Sequence, residues 1–319
     1  MNDVAAFVAA CISSPALLRS ACALVIIPVL AWLVVRALAP AIARMSDDSG
    51  WQAPLAATAA GLPGMLFVVL GAATLRDGWN SACLQFASGR VLYAVVAALT
   101  AFGVARAMTL AVRRVRDVVR LIRSSSAPSA RLQRAADATG MRIRAVSAAG
   151  PVVLIAGFVR PIVLVSADAL LRVNDAELHA AVRHEAAHAR RGDLICAAII
   201  MFIADLVPLP VGNLIALYRR AREFAADAHA TRFADPCDLA GALLALSRPA
   251  AALASVAAFA DAGTVRERLG TLLAPSLPRP SRVRRSLLCA ALAATFVLGA
   301  APALVAFWLG FTCAMAMPG

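Results

Sequence analysis

His184-Glu185-Ala186-Ala187-His188 and, downstream, Glu223-Phe224-Ala225-Ala226-Asp227 are the two fragments whose residue types and spacing could do chemistry. Histidine occurs only at 179, 184, 188 and 229, and glutamate only at 177, 185, 223 and 267, so their clustering is informative. On a helix, residues four apart stack on one face. His184 and His188 can then bind one Zn²⁺ through ring nitrogens at about 2.0–2.1 Å. Glu185 lies beside them, placed as the general base that takes a proton from an activated water. The pattern reads as a hydrolytic zinc site.

Two histidines do not complete such a site, because catalytic zinc usually takes three protein ligands and keeps a position open. Glu223 is the best third ligand, since Asp227 sits one turn further along the same helix face. There Asp227 can accept a hydrogen bond from the far ring nitrogen of a ligand histidine, fixing its tautomer. Competing readings exist for both fragments. H-E-x-x-H in an Ala-rich helix can be a solvated face, and Glu223 and Asp227, which follow Arg219-Arg220-Ala221-Arg222, can be surface ion-pairing charges. The nearby donors for a transition state are His229, Arg232, Tyr218 and Arg222, and the sequence does not choose among them. His179, five residues from His184, is expected to face solvent.

The helices that must position these groups sit in an apolar chain. It is 61% hydrophobic, with a mean hydropathy of +0.79, beyond what a soluble domain of this size normally shows. Four stretches reach the roughly 20 residues that span a bilayer: Leu17–Leu38, Leu55–Leu75, Val91–Val112 and Ser286–Phe311. Pro28 and Pro302 fall inside them and are tolerated where neighbouring helices satisfy the freed backbone groups. The N-terminus, with Asp3 and no basic flank, does not read as a cleavable signal peptide. A multi-pass membrane protein with four transmembrane helices is expected.

All 31 basic residues are arginine, which reads as composition bias; their placement carries the information. Arg113, Arg114, Arg116, Arg120 and Arg123 follow the third apolar stretch, and Arg279, Arg282, Arg284 and Arg285 precede the last. By the positive-inside rule the 113–285 region is cytoplasmic and both termini face outward. Arg36 and Arg44 agree, and Arg19 dissents. A net charge of +13 and a pI near 11.1 would suit nucleic acid. No reading helix, zinc knuckle or aromatic-interleaved basic patch accompanies them, so topology and contact with the lipid bilayer account for the charge.

The expected division is a three-span region 1–112, a cytoplasmic peptidase domain 113–285, and a last span with a short outer tail at 286–319. Within the domain, Ser129–Thr139 reads as a short helix ended by Gly140. Met141–Ser147, Val152–Ala156 and Val159–Val165 read as a small antiparallel sheet, with Pro161 making the third an edge strand or a strand start. An edge strand beside the metal helix could receive an extended peptide, though an ordinary sheet packed under that helix fits equally. Asn174-Asp175-Ala176-Glu177 resembles a capping box opening the metal helix. Arg123-Ser124-Ser125-Ser126-Ala127-Pro128 and the Pro-rich 274–280 read as flexible joints.

Leu194–Leu217 is long and apolar enough to look like a fifth span. A single crossing would put His184 and His188 on one side of the membrane and Glu223 on the other, and two crossings need about 40 residues. Asp205 lies inside the stretch and Pro208-Leu209-Pro210 breaks it. A re-entrant or interfacial helical hairpin at 194–217 is expected, both arms opening on the cytoplasmic face.

The strand pair ending Gly157-Phe158-Val159-Arg160-Pro161-Ile162-Val163-Leu164, then Glu177-Leu178 and His184-Glu185-Ala186-Ala187-His188-Ala189-Arg190-Arg191-Gly192-Asp193, then Arg222–Asp227, resembles the BlaR/MecR family of bacterial membrane metallopeptidases. The resemblance covers roughly 90–235. It implies an α+β zincin-like (gluzincin) peptidase domain, with His184, His188 and Glu223 as zinc ligands, Glu185 as general base and Asp227 as an outer-shell carboxylate. It also implies a regulatory endopeptidase of the bacterial inner membrane that cleaves a cytosolic transcriptional repressor after a signal. Antibiotic sensors of that family carry a penicillin-binding domain beyond the last span; none is expected here.

Rival functions are an HtpX-like membrane quality-control protease and a non-catalytic sensor or scaffold with structural zinc. The spans lack the paired ionisable or broken-helix features of a channel or transporter. Seven cysteines, at 11, 22, 83, 196, 237, 289 and 313, show no metal-binding spacing.

Overall fold

Apolar helices and a small sheet divide the work of holding the two chemical fragments together. The computed structural model describes residues 15–45, 49–80, 87–148, 150–247, 262–273 and 282–315. The described elements are α1 (Pro15–Ala43), α2 (Ser49–Asn80), α3 (Ala87–Arg123), α4 (Ala130–Thr139), β1 (Ile143–Val146), β2 (Val153–Ala156) and β3 (Ile162–Ser166). They continue with α5 (Ala167–Arg172), α6 (Asp175–Arg191), α7 (Asp193–Leu206), α8 (Gly212–Ala230), α9 (Pro236–Leu246), α10 (Ala262–Leu273) and α11 (Arg282–Met315). Both extreme termini, Cys83 and the joint at 274–280 lie outside the described residues.

Two described helices, not four, are long and apolar enough to cross a membrane: Val25–Ala43 within α1 and Trp51–Ala73 within α2. The other two expected spans, Val91–Val112 and Ser286–Phe311, fall partly outside the residues whose side chains are described. Val91–Val112 belongs to α3, which holds Arg106 and runs on without a break through the arginines to Arg123. In α11 the described apolar stretch is Arg285–Ala301, and the remainder of Ser286–Phe311 lies outside the residues whose side chains are described. α1, α2, α8 and α11 share one apolar core in which Val35, Ile42, Leu62, Leu66, Leu214, Tyr218 and Leu292 are buried.

The apolar stretch 194–217 is broken where the prolines stand. α7 ends at Leu206, and α8 starts at Gly212 and turns back. The two arms lie chiefly against α2, and α7 also against α3. Close approach needs glycine: a Cβ on Gly64 of α2 would collide with the Ile203 carbonyl, and one on Gly103 of α3 would sit 2.6 Å from the Leu206 carbonyl oxygen. Small residues allow such backbone contacts between apolar helices. The Arg106 guanidinium donates to the Asp205 carbonyl, and Arg114 Nη1 lies 2.6 Å from Asp205 Oδ2. Trp32 Nε1 donates to the Pro210 carbonyl at 3.2 Å, which ties the turn to the middle of α1.

The sheet is mixed, in the order β1-β3-β2, which corrects the antiparallel expectation. β1 runs parallel to β3, with Ile143 opposite Val163, whereas β2 pairs antiparallel, with Ile155 opposite Val163. All five residues of β3 are buried, the mark of a strand covered on both faces. Val163 and Val165 meet Leu178 and Val182 of α6 on one side, while Ile162 and Leu164 meet Leu121 of α3 on the other. β3 is thus the centre rather than an edge. Pro161 precedes its first residue, so the missing amide costs no ladder bond. The edge facing α6 is β2. The serine-rich joint is also pinned: Ser126 and Ala145 exchange backbone hydrogen bonds of 2.8 and 3.2 Å.

Local signals set both ends of α6. Asn174 Oδ1 accepts from the Glu177 amide at 2.9 Å and Glu177 Oε2 from the Asn174 amide at 2.8 Å, a complete capping box. At the other end Gly192 takes the left-handed conformation, φ +67°, which suits glycine and stops the helix.

Candidate metal centre

α6 presents His184 and His188 one turn apart, and α8 brings Glu223 and Asp227 to meet them. The Nε2 atoms of the two rings are 3.2 Å apart. Glu223 Oε2 lies 3.3 Å from His184 Nε2, and Glu223 Oε1 lies 3.5 Å from His188 Nε2. One donor atom from each of the three buried residues falls within 4.8 Å of the others. Bonds of about 2.05 Å in a tetrahedral site place neighbouring donors about 3.3 Å apart. The chain already holds this spacing.

The far nitrogens settle which atoms converge. His184 Nδ1 is 2.8 Å from Asp227 Oδ1, and His188 Nδ1 is 2.8 Å from Asp193 Oδ2. A ring that donates its Nδ1 proton to a carboxylate turns a bare Nε2 lone pair inward. Two such lone pairs and a carboxylate aimed at one spot repel one another unless a cation joins them. The donor set, two imidazoles and one carboxylate with a carboxylate behind each ring, fits a zinc ion.

Electrostatics follow from that crowding. Burial pulls the His184 ring down, but the hydrogen bond and charge of Asp227, with Glu223, lift it to about 9. His188 is raised as well: burial opposes its charge, and Glu223 and Asp193 outweigh burial. Burial raises Glu223, yet the two histidines hold its carboxyl well below the ordinary value. Asp227 is lowered despite burial by Arg268 and His184. Glu185 moves the other way, because burial raises it more than His188, His184 and a hydrogen bond from the Ile155 amide lower it. Its carboxyl is thus raised where those of Glu223 and Asp227 are lowered.

Residues the sequence reading did not single out complete the cluster. Asp193 is the first residue of α7, brought to His188 by the turn at Gly192. Its signal was an acidic residue directly after the helix-ending glycine. Arg268, on α10, lies 2.7 Å from each oxygen of Asp227 and 3.3 Å from Glu223 Oε2. Nothing local marks it, because 41 residues separate it from Asp227. Arg222, one of the candidate donors, is spent on Glu223 Oε1 at 3.4 Å, and Tyr218 is buried beside it.

The other two candidates lie elsewhere. His229 meets Phe233 with ring centroids 5.4 Å apart and planes tilted by 52°, and its charged neighbours are Arg190, Arg191 and Arg232 rather than the His184–His188–Glu223 cluster, while Arg232 is exposed. His179 accepts from Arg183 Nε at 3.2 Å, away from the centre.

Among curated proteins no match was found. The described arrangement has a counterpart at the level of the family: the model for the BlaR1 peptidase M56 family matches residues 66–268, which include both chemical fragments, Asp193 and Arg268. That match covers well over half of the chain, so the protein belongs to the BlaR1 peptidase M56 family of membrane-associated peptidases.

Proposed function

We propose that the protein is a multi-pass, zinc-dependent endopeptidase of a bacterial cell membrane. In this reading it cleaves a cytosolic, repressor-like protein in response to a signal. The observation that carries the reading is the convergence of His184 Nε2 and His188 Nε2, 3.2 Å apart, on the Glu223 carboxylate, whose two oxygens lie 3.3 and 3.5 Å from them. His184, His188 and Glu223 would hold the ion, with Asp227 and Asp193 fixing the two rings.

When bound, zinc supplies Lewis acidity, which polarises a scissile carbonyl and makes water a better nucleophile. Glu185, next in sequence to His184, takes the proton of the attacking water and returns it to the leaving amine. Its raised pKa suits both directions of that transfer. The Ile155 amide holds its carboxylate at β2, the edge strand of the sheet. A substrate segment running along that edge lies beside the base and the ligands.

Charge and the hairpin support a cytoplasmic domain. Arginines cluster at the C-terminal end of α3, Arg113 to Arg123, and at the start of α11, Arg282 to Arg285, as the positive-inside rule expects of a cytoplasmic region. The α7–α8 turn reaches Trp32, near the middle of the α1 span, and returns, which supports a re-entrant hairpin over a crossing.

Glu185→Gln tests the reading. The variant is expected to bind zinc like the parent and to lose proteolysis of a repressor-like substrate found by comparing proteomes with and without the active protein. Undiminished cleavage by the variant would refute the enzymatic role. Unchanged cellular function in its absence of cleavage would favour a scaffold with structural zinc.

A further inference from the structure

We infer that Arg268 is a positioning residue of the metal centre, whose guanidinium aligns Glu223 and Asp227 and so sets how tightly the centre holds its ion. The inference rests on the reading that His184, His188 and Glu223 are the ligands. Three nitrogens of the guanidinium are engaged: Nε and Nη2 at 2.7 Å from the two Asp227 oxygens, and Nη1 at 3.3 Å from Glu223 Oε2. Both routes end on a ligand. Asp227 carries the first to His184 Nδ1 at 2.8 Å, and the second reaches the ligand carboxylate itself. A planar fork can serve two carboxylates at fixed angles, as a lysine ammonium cannot.

Charge balance explains why a cation stands there. Glu223 and Asp227 set two buried carboxylates side by side, and the Arg268 guanidinium contacts both. Arg268 is 6% exposed, and a buried charge persists only when paired. Docking of α10 does not need this arrangement, because Arg220 Nε pairs with Glu267 Oε2 at 2.8 Å and Leu272 packs on the Ala180, Ala230 and Leu239 cluster. The buried fork is therefore directed at the centre rather than at holding the helix down.

The test is zinc affinity of the full-length, detergent-solubilised protein, read by competition with a chromophoric chelator, beside the melting temperature of the metal-free chain. Arg268→Gln is expected to weaken zinc binding about 10- to 100-fold, the usual effect of removing an outer partner of a ligand. Arg268→Lys should fall between it and the parent. In a cycle with Asp227→Asn the losses should not multiply, since both changes break the same contact. Affinity within twofold of the parent for Arg268→Gln, or losses that multiply in the cycle, overturns the proposal. A lower melting temperature with unchanged affinity of the folded protein does so too. If Arg268→Gln does not fold, Arg268→Lys decides by the same criteria. His188→Ala keeps the two readings apart: parent-like zinc binding by that variant overturns both, whereas its loss beside an unaffected Arg268→Gln overturns this one alone.

Discussion

Asp193 and His188 belong to different helices, yet Asp193 Oδ2 lies 2.8 Å from His188 Nδ1, with both side chains buried. The left-handed Gly192 between them makes this possible, ending α6 and starting α7 within one residue. The hairpin arm is thereby fastened to the His188 ring. Replacing Asp193 with alanine leaves Nδ1 without its acceptor and the ring free to change tautomer. Zinc affinity, measured by chelator competition, should fall about 10- to 100-fold. Parent-like affinity would show that Asp193 does not orient the ring.

Zinc uptake should depend on pH. With its pKa raised to about 9, His184 of the metal-free protein holds a proton below that value, and a metal requires the bare nitrogen. Each proton expelled steepens affinity by about tenfold per pH unit, so affinity should climb between pH 6.5 and 9 and level off above. The same raised pKa stabilises the metal-free fold fully below about 6.5, and that contribution disappears as pH rises through about 9. Titration calorimetry in two buffers of different ionisation enthalpy reads the protons directly. Uptake without proton release contradicts the assignment.

Gly103→Val should displace the hairpin. Its Cβ would lie 2.6 Å from the Leu206 carbonyl oxygen, a backbone atom that cannot swing aside. Overpacking of this kind costs roughly 1–3 kcal/mol, and a lowered melting temperature is the expected result. A parent-like melting curve would mean that α3 and α7 do not pack as closely as described.

Single cysteines at 176 and 232, in a chain stripped of its own seven, should react with an impermeant reagent from the same side of the membrane. Ala176 and Arg232 are both exposed and flank the centre on α6 and just beyond α8. Labelling from opposite sides would rule out a common metal.

The sequence by itself determined the parts whose physics is local. Spacings of four on a helix put His184 with His188, and Glu223 with Asp227. Asn174 and Glu177 announced the start of α6, Gly140 the end of α4, and the prolines at 208 and 210 the bend between α7 and α8. Hydropathy marked the membrane association, and two of the four expected spans have described helices long and apolar enough to cross.

Tertiary structure decided whatever depends on partners distant in sequence. Strand order is one case: three short apolar runs read alike, and only the packing of Leu121 and of Leu178 with Val182 on opposite faces made β3 the centre. The surroundings of the ligands are another. Arg268 comes 41 residues after the carboxylate it grips, and a lone arginine among 31 carries no local sign of its role. Spacing along one helix fixes which side chains share a face; which face another helix meets is set by the burial of both.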